Sequence, residues 1–261
     1  MSRPRLAQLP LTRLLLTSLG GLALGCTEVG SRPWFDHPSP VPFTVVAVDP
    51  ADGAIAVALD QPIDVYLSDL PDPDSATRDT FILGSGSTQF TGGFRVDLID
   101  RRLRYLPART LQPHLGMRVF VGRHLRALDG REIGEDLEWG FMTGATLGGE
   151  HRPAPPMSLD EVGPTLAARC ATACHEGAAA FRGLDLSATD TAFAGLVGRA
   201  SVERPEMSLV SAGDHARSYL VRKLLGAPAI VGDVMPPPPD EPLDAATLRR
   251  LADWIDDGAQ R

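Results

Sequence analysis

The sequence predicts two regions of different class, an all-β sandwich followed by an all-α domain. Three observations carry this. Between residues 42 and 145, short runs rich in β-branched and aromatic residues are broken by Gly, Pro and Asp at near-regular intervals, as expected of many short strands joined by turns. From residue 157 onward, apolar residues recur at spacings of three and four, the period of a helix face. Between them His151 to Pro156 is Pro-rich, and 146–156 reads as a linker.

The N-terminus reads as an export signal. Arg3, Arg5 and Arg13 precede an apolar stretch from Leu14 to Leu24 that is shorter than a membrane span and ends in small residues before Cys26. Leu22-Ala-Leu-Gly-Cys26 resembles a bacterial lipobox, with Ala23 where Leu normally stands three residues before the Cys. The resemblance implies a signal peptide over 1–25, lipid on Cys26, and a location in the cell envelope, at the periplasmic or outer-membrane face. The Pro-rich segment 26–41 then serves as an extended tether.

Strands are expected at 43–48, 54–59, 63–67, 80–83, 94–99, 103–105, 117–121 and 139–143. The order of cues resembles the bacterial Ig-like domains of surface proteins: Asp49-Pro-Ala-Asp-Gly53, Pro62-Ile-Asp-Val-Tyr-Leu-Ser68, Leu103-Arg-Tyr-Leu-Pro107, Leu128-Asp-Gly130 and Phe141-Met-Thr-Gly144. Such a fold says nothing by itself about a ligand. The acidic loop from Asp69 to Asp74 lacks the fixed ligand spacing of a calcium loop and reads as a solvated turn.

In the second region Ser158-Leu-Asp-Glu161 has the form of a capping box, although Pro164 predicts a helix that starts later. Asp214 is placed to cap a helix carrying Ala216, Tyr219, Leu220 and Leu224 on one face, with Gly226 as its stop. Asp244 caps another. In it Leu248, Leu251, Trp254 and Ile255 share a face, and Gly258 ends it. Three or four short helices bury little surface without help, so a large apolar disc is expected to supply much of the missing core.

Cys170-Ala-Thr-Ala-Cys174-His175 is the most concentrated chemistry in the chain. Two thiols followed by an imidazole read as a covalent haem attachment site, with one residue more than the familiar C-x-x-C-H spacing. A Cys170–Cys174 disulfide and a zinc site are the other readings of the same residues. Met235, in Val234-Met-Pro-Pro-Pro-Pro239, is presented by a loop that proline makes stiff, and it is the candidate sixth iron ligand. His215 competes for that position, but Asp214 before it predicts an exposed first helical turn.

Five ordered segments make 157–261 resemble a class I cytochrome c domain of a bacterial lipoprotein-associated subgroup. They are Leu166 to His175, Leu184 to Ser187, Ala212 to Leu224, Val234 to Pro237 and Leu251 to Ala259. The resemblance implies one haem c linked to Cys170 and Cys174, with His175 and Met235 as axial ligands. It also implies a one-electron carrier that is not itself an enzyme and works between a redox donor and an acceptor protein. A different class of reading remains: an Ig-like adhesion or scaffold lipoprotein with a Cys170–Cys174 disulfide and no haem.

Charge excludes one class of partner. The chain has 25 basic and 33 acidic residues, and removing 1–25, which hold three Arg and no acid, takes the net charge from -8 to -11. Nucleic acid is not an expected partner of so acidic a surface.

Overall fold

A computed structural model describes residues 41–148, 156–172 and 174–261. The expected signal peptide, Cys26, nearly all of the expected tether and most of the expected linker lie outside the described residues. Eight strands form the first region: β1 (Val45–Asp49), β2 (Ile63–Leu67), β3 (Phe81–Ser85), β4 (Thr88–Phe90), β5 (Gly92–Asp97), β6 (Arg102–Pro107), β7 (Gly116–Val121) and β8 (Leu137–Met142). They make two four-stranded sheets in the orders β1-β2-β6-β5 and β4-β3-β7-β8, and every pairing is antiparallel.

The two-residue period places one face of each sheet inside. Ile63, Val65, Leu67 and Leu103 of the first sheet meet Phe81, Leu83, Val119 and Val121 of the second, all at 3 % exposure or less. An aromatic cluster ties the sheets together. Phe81 stacks on Tyr105 with centroids 4.9 Å apart, Phe94 meets Phe81 edge-on at 5.8 Å, and the Tyr105 hydroxyl donates to the Phe90 carbonyl at 2.7 Å. Gly92 lets β5 pass over this ring, because a Cβ there would collide with the Tyr105 side chain and the Leu106 carbonyl.

Two strand expectations change. Residues 54–59 form no strand: Ala56 has φ +57°, which breaks the extended chain, although Ala54 and Val57 still bond to the edge of β8. β4 was not foreseen. It is three residues long and completes a tight hairpin with β3.

The second region carries α1 (Leu159–Leu166), α2 (Thr189–Leu196), α3 (Tyr219–Leu225) and α4 (Ala245–Asp256). The capping box at Ser158 and Glu161 forms, and Asp244 accepts from the Thr247 amide at 2.8 Å to start α4. Contrary to expectation, Pro164 lies inside α1, where it removes one backbone bond. The chain then widens into a π-turn at Ala167–Ala171. The helix expected after Asp214 divides in two, because Ser218 is extended (φ −91°, ψ 120°) between a 3-10 turn at His215–Arg217 and α3. Gly226 ends α3 in the left-handed conformation its φ of 60° requires.

The expected fold class of an all-β Ig-like sandwich followed by an all-α cytochrome c domain is corrected. The chain is a β-sandwich protein whose second region, among the described residues, has four short helices, joined by long irregular segments and isolated bridges such as Val197 to Val210 and Ala200 to Ser208. Its helices do not stand alone: their buried side chains and those of the sandwich belong to one continuous apolar cluster. The apolar disc expected to complete the helical core is thus corrected: side chains of the protein fill it, with Trp254, Ile255 and Leu196 fully buried.

Candidate functional site: a buried ion cluster between the regions

Charged residues stand at outward positions of β2 (Asp64), β5 (Arg95, Asp97) and β6 (Arg102, Arg104). Register sets Asp64 opposite Arg104 and Asp97 opposite Arg102, so opposite charges face each other across the strands. Arg104 grips Asp64 through two bonds of 2.7 and 2.6 Å, and Arg102 reaches Asp97 at 3.1 Å and Asp64 at 3.5 Å. Asp64 and Asp97 are buried.

Asp97 is covered by the helical region. Arg249 of α4 holds Asp97 at 2.9 and 3.1 Å and Asp100 at 2.8 Å. His215 enters beside it, aimed by its 3-10 turn, where Asp214 caps the Arg217 amide at 3.1 Å. Asp256, one α4 turn below Ala252, accepts both the His215 amide at 2.9 Å and its Nδ1 at 2.8 Å. A second point of attachment is Arg217, which donates to Asp74 at 2.8 Å and to the Pro73 carbonyl at 3.3 Å.

His215 is only 2 % exposed, against the expectation of an exposed first turn. Two groups compete for its Nε2: the Leu98 amide is directed at it from 3.1 Å, and an Asp97 oxygen lies 3.5 Å away. The amide needs a lone pair there; the carboxylate needs a proton. Burial opposes the charged ring, while Asp256 and Asp97 together push its pKa up to about 9. For Asp97, burial alone would raise the pKa, but the bonds from His215 and Arg249 hold it well below the usual carboxylate range. With both ring nitrogens engaged and the ring enclosed, His215 fixes orientation and holds a proton. It is no iron ligand.

A second buried pair lies within the helical region. Lys223 is held by Glu203 at 3.2 Å and by the Val231 carbonyl at 2.6 Å, and Tyr219 donates to Glu203 at 2.8 Å. Burial pushes the Tyr219 phenol upward, and Glu203 adds to this, so it stays a neutral donor.

The residues singled out in the sequence lie elsewhere. Cys170 is a free thiol in the π-turn, packed against the apolar cluster, and burial pushes it up to about 11. The expected alternative of a Cys170–Cys174 disulfide is thereby corrected. Cys174 is half-buried. His175 places Nδ1 3.1 Å from the Leu184 carbonyl, and burial holds its pKa below the ordinary value. Met235 is half-buried against the same cluster, its amide donating to the Lys223 carbonyl at 3.1 Å. Among the described residues no group of three or more His, Cys, Asp or Glu side chains is arranged to hold a metal ion. A cavity between α1 and α4 measures about 20 Å³ and is lined by Val162, Leu166, Leu243 and Leu251 among others, and none of Cys170, Cys174, His175 and Met235 borders it. The acidic loop is no open calcium site either, since arginines engage Asp69, Asp72 and Asp74.

No family model matches the chain, and no curated protein matches it. Solved structures do. An L,D-transpeptidase, LdtMt1 in complex with imipenem, is 26 % identical over 40 % of this chain and 41 % of its own, with a TM-score of 0.30. The N-terminal part of the bacterial S-layer protein SbsC is 16 % identical over 40 % of this chain and 24 % of its own, with a TM-score of 0.32. The copper resistance protein PcoC of Escherichia coli is 14 % identical over 38 % of this chain and 97 % of its own, with a TM-score of 0.31. The chain thus spans about two fifths of the transpeptidase. At these scores the likenesses assign no activity or ligand. With the second region lacking a separate all-α domain, the reading as a monohaem electron carrier with iron and electron transfer is withdrawn. The expectation that the chain is not an enzyme rested on that reading and goes with it.

Proposed function

We propose that this is an exported cell-envelope protein, held at a membrane surface by lipid on Cys26, that presents the sandwich and its docked helices as one stiff body. The observation that carries the reading is the leader: basic residues, a short apolar stretch and Leu22-Ala-Leu-Gly-Cys26, with a Pro-rich tether between it and the first strand. The buried ion cluster supports the second half of the reading, because a body fixed at its middle by Asp97, His215, Arg249 and Asp256 transmits an orientation from tether to helices. The membrane lipid is the partner this reading names, and the acidic surface disfavours nucleic acid.

The test is fractionation of Cys26→Ser. The wild type is expected in the membrane fraction with a mass increased by lipid, and the variant in the soluble fraction. Unchanged fractionation, or a wild-type mass without lipid, overturns the anchor.

A further inference from the structure

We propose that the outer face of the β4-β3-β7-β8 sheet binds a second copy of this chain, related to the first by a two-fold axis that runs parallel to the strands between β7 and β8. The inference stands on strand register and charge, and does not depend on the lipid anchor.

The helical region packs on the other sheet, through Asp97 and Arg249, and among the described residues this face is left open. A recess of about 770 Å³ lies over β7 and β8, bordered by Ile55 and Met142, which are 77 % and 48 % exposed. Large apolar side chains around one recess mark an interaction surface. The outward positions of the two strands pair Gly116 with Met142, Arg118 with Gly140 and Phe120 with Glu138. Gly140 has a reason inside the sheet, since a Cβ there would come within 3.0 Å of the Met117 carbonyl. Gly116 has none. Its φ lies outside the left-handed region and a Cβ there would meet open space, so nothing in the sandwich calls for a glycine that weakens the strand. What it leaves is room for a body from outside.

The alternation of large and small residues across β7 and β8 points to the occupant. Rotation about the axis exchanges the two strands, so Met142 of each copy falls over Gly116 of the other, and Arg118 falls over Gly140. The segment bonded to the edge of β8 carries Ile55, and the same rotation sets it over the turn at Gly86, which also borders the recess. Charge obeys the same symmetry. Arg118 donates to Glu138 at 2.7 Å within one copy, with side chains 78 % and 54 % exposed, so each copy offers both signs and the pairs can exchange partners across the axis. A face bearing one sign would repel its own copy. The contact is small: four strands about 5 Å apart and about 20 Å long make about 400 Å² of face, half of what one partner gives to a stable complex. The dimer is therefore weak, with a Kd on the order of 100 μM, and forms where copies are held close together.

Sedimentation equilibrium of the full chain in a density-matched detergent, from about 10 μM to about 1 mM, reads the association. The wild type is expected to pass from monomer to dimer over that range. Arg118→Glu and Glu138→Arg should each weaken the dimer by about tenfold or more, because like charges then meet across the axis, and an equimolar mixture of the two variants should associate at least as strongly as the wild type, because every pair is opposite again. Gly116→Leu should weaken it by about tenfold or more while its urea midpoint stays level or rises, which separates a blocked surface from a damaged fold. A wild type that stays monomeric at about 1 mM, as a face built for a peptide or a saccharide would leave it, overturns the proposal. So do charge variants that associate like the wild type, or a mixture no tighter than either variant alone.

Discussion

The sandwich and the helical region are stabilised by different means. In the sandwich, backbone ladders join neighbouring strands and the apolar core is shared between two facing sheets, so most of its support is internal. The helical region has one helix of 12 residues and three of eight or fewer. Helices so short are marginal alone, and their stability comes from what they pack against. Support for one region thus lies partly in the other. Charges on the outer sheet face, normally a surface device, become the seat of the contact.

That asymmetry can be broken at chosen points. Trp254 is fully buried and donates its indole N–H to the Gln260 carbonyl at 2.7 Å, so Trp254→Ala should cost the helical region about 3–5 kcal/mol in urea unfolding. Lys223→Met leaves Glu203 buried without its cation and should cost about 3–4 kcal/mol, much of it restored when Glu203→Gln is added. A double-mutant cycle that finds the two changes additive would show the pair to be uncoupled.

His215 sharpens the comparison through pH. Its folded pKa of about 9 lies above the unfolded value, so its contribution is fully present below about pH 6.5 and is lost as pH rises through 9. The amount is about 3 kcal/mol, read as the difference in unfolding free energy between pH 6.5 and 10 that disappears in His215→Gln. A local effect comes next: Asp244→Ala removes the cap of α4 and should cost about 1 kcal/mol. Smallest is Arg118→Ala in the sandwich. Its partner Glu138 is 2.7 Å away, but both side chains are more than half exposed, and the loss should stay within about 0.5 kcal/mol.

Much of the sandwich was legible because alternation and turn residues are local signals: β2 matches its expected run and β7 nearly so. The segment 54–59 misled because its apolar residues line β8 without a regular backbone. The caps at Ser158 and Asp244 and the stop at Gly226 were readable for the same local reason. The candidate site was not. Asp97, His215 and Arg249 are separated by more than 30 residues from one another, and each looks like an ordinary surface charge until the regions meet. One signal was present: Asp64, Asp97, Arg102 and Arg104 all occupy the outward phase of their strands, a denser set of opposite charges than a solvated face needs. The cysteine motif drew attention instead because its residues are adjacent in sequence.

The central claim is that the two regions are one body at neutral pH. Scanning calorimetry of the full chain tests it most directly. The account predicts one transition at pH 7, with calorimetric and van't Hoff enthalpies in agreement, and separation into two transitions in Asp97→Asn, which unties His215 and Arg249 together. Two resolved transitions in the wild type at pH 7 would contradict it, since the helical region would then melt without regard to the sandwich beneath it.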